Sequence, residues 1–234
     1  MDIEESINQM QQTTQASGME NLSEPLQMAL FLGAMVLLVG AMACLTSFTR
    51  IIIVLSFVRR ALTTQEIPPN PVIIGLSLFL TLFVMGPTLE RINDKAIRPH
   101  LDGKLTSAAA FKAGQAELHR FMIHQTRPKD LELFLNLADI DEPATKEATP
   151  MHALIPAFIT SELKTAFIMG FCIYIPFILV DLVVSTILMS LGMMMMPPMV
   201  ISTPCKLMLF ILVDGWQLIA QALALSFKVP EQLT

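Results

Sequence analysis

Residues 165–225 read TAFIMGFCIYIPFILVDLVVSTILMSLGMMMMPPMVISTPCKLMLFILVDGWQLIAQALAL. Two apolar runs, Thr165 to Met189 and Leu207 to Leu225, flank the segment LGMMMMPP at 191–198. The first exceeds and the second approaches the ~20 residues that a helix rising 1.5 Å per residue needs to cross ~30 Å of hydrocarbon. The segment between them does not read as helix. Successive helical residues lie about 100° apart, so Met193, Met194, Met195 and Met196 would point all round the axis. Pro197 and Pro198 remove two backbone donors and push Met196 out of the α region. Gly192 adds backbone freedom on the other side. The passage therefore predicts a helical hairpin closed by a non-helical loop. Such backbone is tolerated at membrane depth only where protein buries it or a cavity is lined.

The same pattern occurs earlier in the chain. A run from Leu26 to Leu45 hardly stops, because Ile51 to Val58 is apolar again after Thr46-Ser47-Phe48-Thr49-Arg50. A further run, Val72 to Leu89, is entered through Pro68-Pro69-Asn70-Pro71. The expected fold is all-α: an acidic tail, 1–25; a first hairpin, 26–89; a polar helical insert, 90–164; a second hairpin, 165–228, with its loop region at 190–206; and a short tail, 229–234. In the insert, Phe111, Leu118, Phe121 and Met122 fall on one helical face. Pro128 followed by Asp130 and Glu132 suits a helix start, and Asp139 to Pro150 reads as a loop.

Composition places the chain in the membrane class. Apolar residues make up 53% without glycine, where a soluble domain reaches ~45–50% only with glycine counted. Mean hydropathy is +0.61. The net charge of −5 gives no basic surface for nucleic acid. Cys44, Cys172 and Cys205 lie in or beside apolar runs and read as small buried hydrophobes. One Trp and one Tyr make a thin interfacial aromatic belt. Residues 1–25 carry five acids and no Lys or Arg, the wrong sign for a secretory leader. That leaves a processed N-terminus or targeting by the first apolar helix, with the tail disordered until bound. Arg50, Arg59 and Arg60 after run one, and Lys206 before run four, point both hairpin tips to the cytoplasm, with the insert and both termini outside.

Unbranched, polarizable methionines can close on one another and still yield to varied shapes, so the 193–196 loop reads as a compliant gasket or as plain packing. Asp181 and Asp214 lie inside apolar runs, seventeen residues before and sixteen after Pro198, hence at similar depth. Two such acids must diverge, share a proton, or meet cations such as Lys164, Lys206 or Arg50. A structural pair between subunits fits better than a catalytic dyad. An intramembrane aspartyl protease is the enzymatic alternative, although LVDLV and LVDGW lack a glycine-aspartate signature. A Cu(I) transporter could use Met189, Met193, Met196, Met199 and Cys205 as soft ligands, but Met1, Met10 and Met19 are sparse for collecting metal. Ser161-Glu162-Leu163-Lys164 puts acid and base together before run three, either as a contact or as a solvated cap. His100, His119, His124 and His152 show no ligand spacing.

TSFTRIIIVLSFVRRALTTQEIPPNPV (46–72), HQTRPKDLELF (124–134) and the stretch from Pro156 to Ile219 resemble the FliP family of flagellar biosynthesis proteins, which includes the equivalent subunits of virulence-type secretion systems. The likeness covers roughly residues 29–228. It implies an export-gate subunit without enzymatic activity or cofactor, in a pentameric ring with FliQ and FliR in the bacterial inner membrane and flagellar basal body. That ring forms the channel entrance for unfolded flagellar proteins. The family's constriction would fall on Met193–Met196, with Gly192, Pro197 and Pro198 shaping the loop. Glu162, Lys164, Asp181 and Lys206 match the motif and would make contacts between subunits or with partners. Arg50 and Asp214 join them as charged residues beside or within apolar runs. The chain departs from the family in lacking a basic cleaved leader over 1–25, and in carrying Ile168 where a polar residue is usual.

Overall fold

A computed structural model describes residues 24–63, 67–140, 145, 148–193 and 196–227. Both expected tails fall almost wholly outside the described residues, as do Met194, Met195 and half of the loop expected at 139–150. The regular elements among the described residues are all helices, with no strand. The chain divides into two units, residues 1–42 and 43–234.

The first unit contributes most of α1, Glu24–Leu45. Its 22 residues reach ~33 Å at 1.5 Å each, enough for a span. Most of its described side chains are exposed, Phe31 and Val36 among them.

The second unit is built on α2, Phe48–Ala61. Ile51, Val54, Leu55 and Val58 recur at intervals of three and four and are all buried, forming the core-facing stripe of an amphipathic helix. Helix α3, Asn70–Ile92, starts with Pro71 in its first turn, where a missing N–H costs nothing. Ser77 and Thr81 are buried along it, and each hydroxyl donates to the carbonyl four residues back at 2.7 Å. Its column widens into a π-helical turn, Asn93–Ile97, and ends in the short α4, Arg98–Leu101. The insert continues with α5, Ser107–Gln125, and α6, Pro128–Leu137. As expected, α6 opens on Pro128, with Asp130 in its first turn.

Helix α7, Met151–Ser190, is 40 residues long, so the third apolar run is only its C-terminal part. Its rise of ~60 Å is about twice a hydrocarbon core. Gly170 lets α7 approach α2 closely: a Cβ there would lie 2.5 Å from the Phe57 ring. The fourth run divides into α8, Met199–Leu212, and α9, Gly215–Ser226, bent by 63°. The break follows from Asp214, whose φ of 51° is left-handed, and from Gly215, whose missing Cβ leaves room for the Phe210 ring.

Two expectations about side chains fail. Phe111 is 76% exposed, whereas Leu118, Phe121 and Met122 pack inward. The first turns of α5 dock through Gly114 against Ala96 and Ile92, which leaves Phe111 on another side. Cys44, Cys172 and Cys205 are all exposed. In a membrane-class chain an apolar run is equally suited to face lipid or a neighbour, so it does not imply burial within the chain.

Candidate functional site: a methionine turn and two buried charge pairs

The loop between α7 and α8 is closed by specific backbone bonds. Leu191 caps α7, and Gly192 follows with φ of 74°. The Met193 amide donates to Leu188 O and the Gly192 amide to Met189 O, both at 3.1 Å. This is the Schellman pattern, which needs a left-handed residue where Gly192 stands. The Met196 amide then donates to Met193 O at 3.3 Å, making a turn. Pro198 caps α8, and its carbonyl accepts from the Ser202 amide at 2.9 Å. Met193 and Met196 are each 40% exposed. Met189 and Met199, at the helix ends beside the turn, are more exposed still.

Arg50 is the hub of a buried polar knot joining α2, α5, α7 and the end of α9. Its Nε donates to Glu162 Oε2 at 2.8 Å, and its Nη2 to Glu162 Oε1. Nη1 donates to the Ser226 carbonyl at 3.1 Å and to Ser226 Oγ at 3.0 Å. Nη2 also reaches Gln125 Oε1 at 3.4 Å, while Gln125 Nε2 donates to Phe227 O at 3.1 Å. The guanidinium carbon sits 3.8 Å from the Phe227 ring centroid, a cation–π contact. The bidentate fork satisfies a carboxylate that is 0% exposed. Next to it, fully buried Ser161 accepts from the Arg127 amide at 3.0 Å and so ties the α5–α6 turn to α7.

Lys206 centres a second knot. Its ammonium, 1% exposed on α8, donates to Asp181 Oδ2 at 2.5 Å and to Thr63 Oγ1 at 3.3 Å. Thr63 follows the α2 cap with φ of 56°, a conformation β-branched residues seldom adopt. Its hydroxyl also meets Thr203 Oγ1 at 3.4 Å. Of the cations considered for Asp181, the fold therefore selects Lys206, on the same hairpin. A carboxylate bonded to an ammonium is not sharing a proton with another acid, as an aspartyl dyad requires.

The remaining charges stand apart. Lys164 is exposed on α7 and Asp214 at the α8–α9 break, and neither side chain has a partner among the described residues. A charge at bilayer mid-depth costs ~2.5–3.5 kcal/mol on insertion scales, so an unpaired one is exceptional. Sequence reasoning expected all six charges at contacts with other chains. Within this chain four of them pair with one another, and two do not.

A third cluster carried no sequence signal. Glu117, on α5, accepts from Lys95 Nζ at 2.6 Å and Arg91 Nε at 3.1 Å, clamping the π-helical turn. Burial alone would raise its carboxyl pKa, but the Lys95 bond and charge, with those of Arg91, outweigh it and hold the group below its ordinary value. A depressed carboxylate contributes stability above its unfolded pKa of about 4.5, lost as pH falls through the lower folded value. Acidification below about pH 4.5 is thus expected to loosen the α3–α5 contact, seen as faster amide exchange at residues 91–97. Glu117→Gln should show fast exchange already at neutral pH, with a flatter pH response. Identical profiles for the two proteins would refute the clamp.

Among the described residues, three helices are long and apolar enough to cross a membrane, or four if the bent α8–α9 pair counts as one span. By length and composition they make an all-α chain compatible with a membrane protein. The chain belongs to the FliP family, whose pattern matches residues 31–223. It is 48% identical over 212 residues to "Flagellar biosynthetic protein FliP" of Bacillus subtilis, covering 91% of this chain and 96% of that one. The protein of the same name from Pectobacterium carotovorum is 51% identical over 211 residues, covering 90% and 82%. That of Aquifex aeolicus is 44% identical over 213 residues, covering 90% and 89%.

Proposed function

We propose that this chain is a core subunit of the flagellar type III export gate, and that its methionine turn forms the seal. In this reading five copies assemble with FliQ and FliR in the bacterial inner membrane, later within the flagellar basal body. The insert and both termini face the periplasm. The hairpins at 26–89 and 165–228 build the wall of the passage for unfolded flagellar proteins, and the segment 190–206 carries its gate. No catalytic step or cofactor enters the account.

The observation that supports the reading is the methionine turn itself, in a chain that matches the FliP family over residues 31–223. Gly192 and the two prolines hold a bond-defined turn that presents Met193 and Met196 half-exposed at a hairpin tip. Thioether side chains are unbranched and polarizable, so several converging copies can fill a hole without a fixed shape and part for a passing chain. Replacing Met193–Met196 by glycine is expected to let small ions leak through the assembled complex in a planar bilayer. Conductance at background, with assembly intact, would remove those methionines as the seal.

A further inference from the structure

Two helices of the second unit end in the same way on different residues. After α7 the left-handed position is Gly192, whose amide donates to Met189 O. After α2 the cap is Leu62, and the next residue is Thr63, with φ of 56° and its amide donating to Arg60 O at 3.0 Å. Glycine takes that conformation freely, whereas a β-branched residue takes it against a steric penalty. Residues held so persist only where the surroundings fix them, and they gather at switch regions. What threonine offers here and glycine lacks is a hydroxyl.

That hydroxyl lies in the middle of a chain of four hydrogen bonds. Lys206 Nζ donates to Asp181 Oδ2 at 2.5 Å and to Thr63 Oγ1 at 3.3 Å. Thr63 Oγ1 meets Thr203 Oγ1 at 3.4 Å, and Thr203 Oγ1 donates to Met199 O at 2.8 Å. The order of protons follows from the two ends. An ammonium only donates and a carbonyl only accepts, so the Thr63 hydroxyl takes from Lys206 and gives to Thr203. The chain of bonds thus runs from Asp181 on α7, through the end of α2, to Met199, the first residue of α8 beside the methionine turn.

We infer that Thr63 is a positioning residue of the gate, its strained hydroxyl fastening the root of the methionine turn to the end of α2. The inference rests on the gate reading above and adds the element that holds the turn in place. Hydrogen bonds in series polarise one another, so the links act together rather than singly. The strain makes the fastening releasable. Once the bonds to α8 part, the backbone at Thr63 loses contacts that offset its steric penalty, which favours the parted state. A substrate chain pressing on the turn then has only hydroxyl bonds of modest net strength to break.

Glycine at position 63 separates the hydroxyl from the fold, because it suits the left-handed cap and cannot bond to α8. The full chain is co-expressed with its gate partners, and the purified complex is placed in a planar bilayer. Thr63→Gly is expected to keep or exceed the wild-type midpoint of protease resistance, yet to raise the resting ion leak about tenfold, as the loss of a hydrogen bond would. Thr63→Ser retains the hydroxyl and should leak within about twofold of wild type. Thr203→Val breaks the next link and should match Thr63→Gly, with the double variant no leakier than either single. Wild-type leak from Thr63→Gly, in bilayers where the Met193–Met196 glycine variant does leak, overturns the inference and leaves the gate reading intact. A double variant whose leak is the product of the singles also overturns it, since the two hydroxyls then act separately. So does Thr63→Ser leaking like Thr63→Gly, or a Thr63→Gly complex whose midpoint falls as its leak rises, which marks a plain structural cap. Background leak from the methionine variant as well defeats the gate reading itself.

Discussion

Glu162→Ala is expected to destabilise the second unit by about 3–5 kcal/mol, the cost of leaving a buried charge without its partner. Arg50 is 2% exposed and cannot turn to solvent without opening the junction of four helices. Its remaining bonds to Ser226, Gln125 and the Phe227 ring do not neutralise it. The same arrangement predicts an unusual rescue. Arg50→Met combined with Glu162→Leu should regain most of the loss, because two apolar side chains can replace a buried ion pair at little net cost. The midpoint of protease resistance in detergent measures both. A double variant as fragile as Glu162→Ala would mean that the knot contributes through its hydrogen bonds to the chain ends rather than through the pair.

The Lys206–Asp181 pair should respond asymmetrically. Asp181 is 41% exposed at its side chain and Lys206 only 2%. Asp181→Ala strands a buried ammonium with Thr63 as its remaining acceptor among the described residues, for an expected cost of about 2–3 kcal/mol. Lys206→Met leaves a carboxylate that water or headgroups can reach, and an apolar chain in place of the buried stem, for about 1 kcal/mol or less. Recovery of the oligomer in native electrophoresis, together with the melting temperature, gives the order. Equal losses for the two substitutions would show that the pair is valued for a contact outside the chain rather than for burial of the lysine.

The local features were readable from sequence because they follow from steric rules over a few residues. Gly192, Pro197 and Pro198 forecast a non-helical turn, and the left-handed glycine cap with a proline-led α8 is that turn. Pro128 likewise marks the start of α6. The all-helical class was legible from the lengths of the apolar runs. Pairings were not: Arg50 and Glu162 are 112 positions apart, and only the packing of α2 on α7 joins them. The three-way clamp on Glu117 depends on a π-helical turn that no spacing announces. Phe111 was misjudged because α5 docks through Gly114 on another face, and the three cysteines because an apolar setting was read as burial. Apolar character tells which solvent a side chain tolerates, and in this class of protein the chain's own interior is one of several such solvents.

Helix α7 carries the Arg50 knot near one end, at Glu162, and the methionine turn at the other, after Ser190. Pro176 sits midway, fourteen residues from each, and proline removes a rung from the ladder where it lies inside a helix. The missing rung makes position 176 the weak point of the rod between the knot and the turn. A change of 10° at Pro176 swings the far end, ~21 Å away, by about 3.6 Å. That is close to the width of a methyl group, so in the proposed gate the fit of the methionines would follow whatever grips the helix beside the insert.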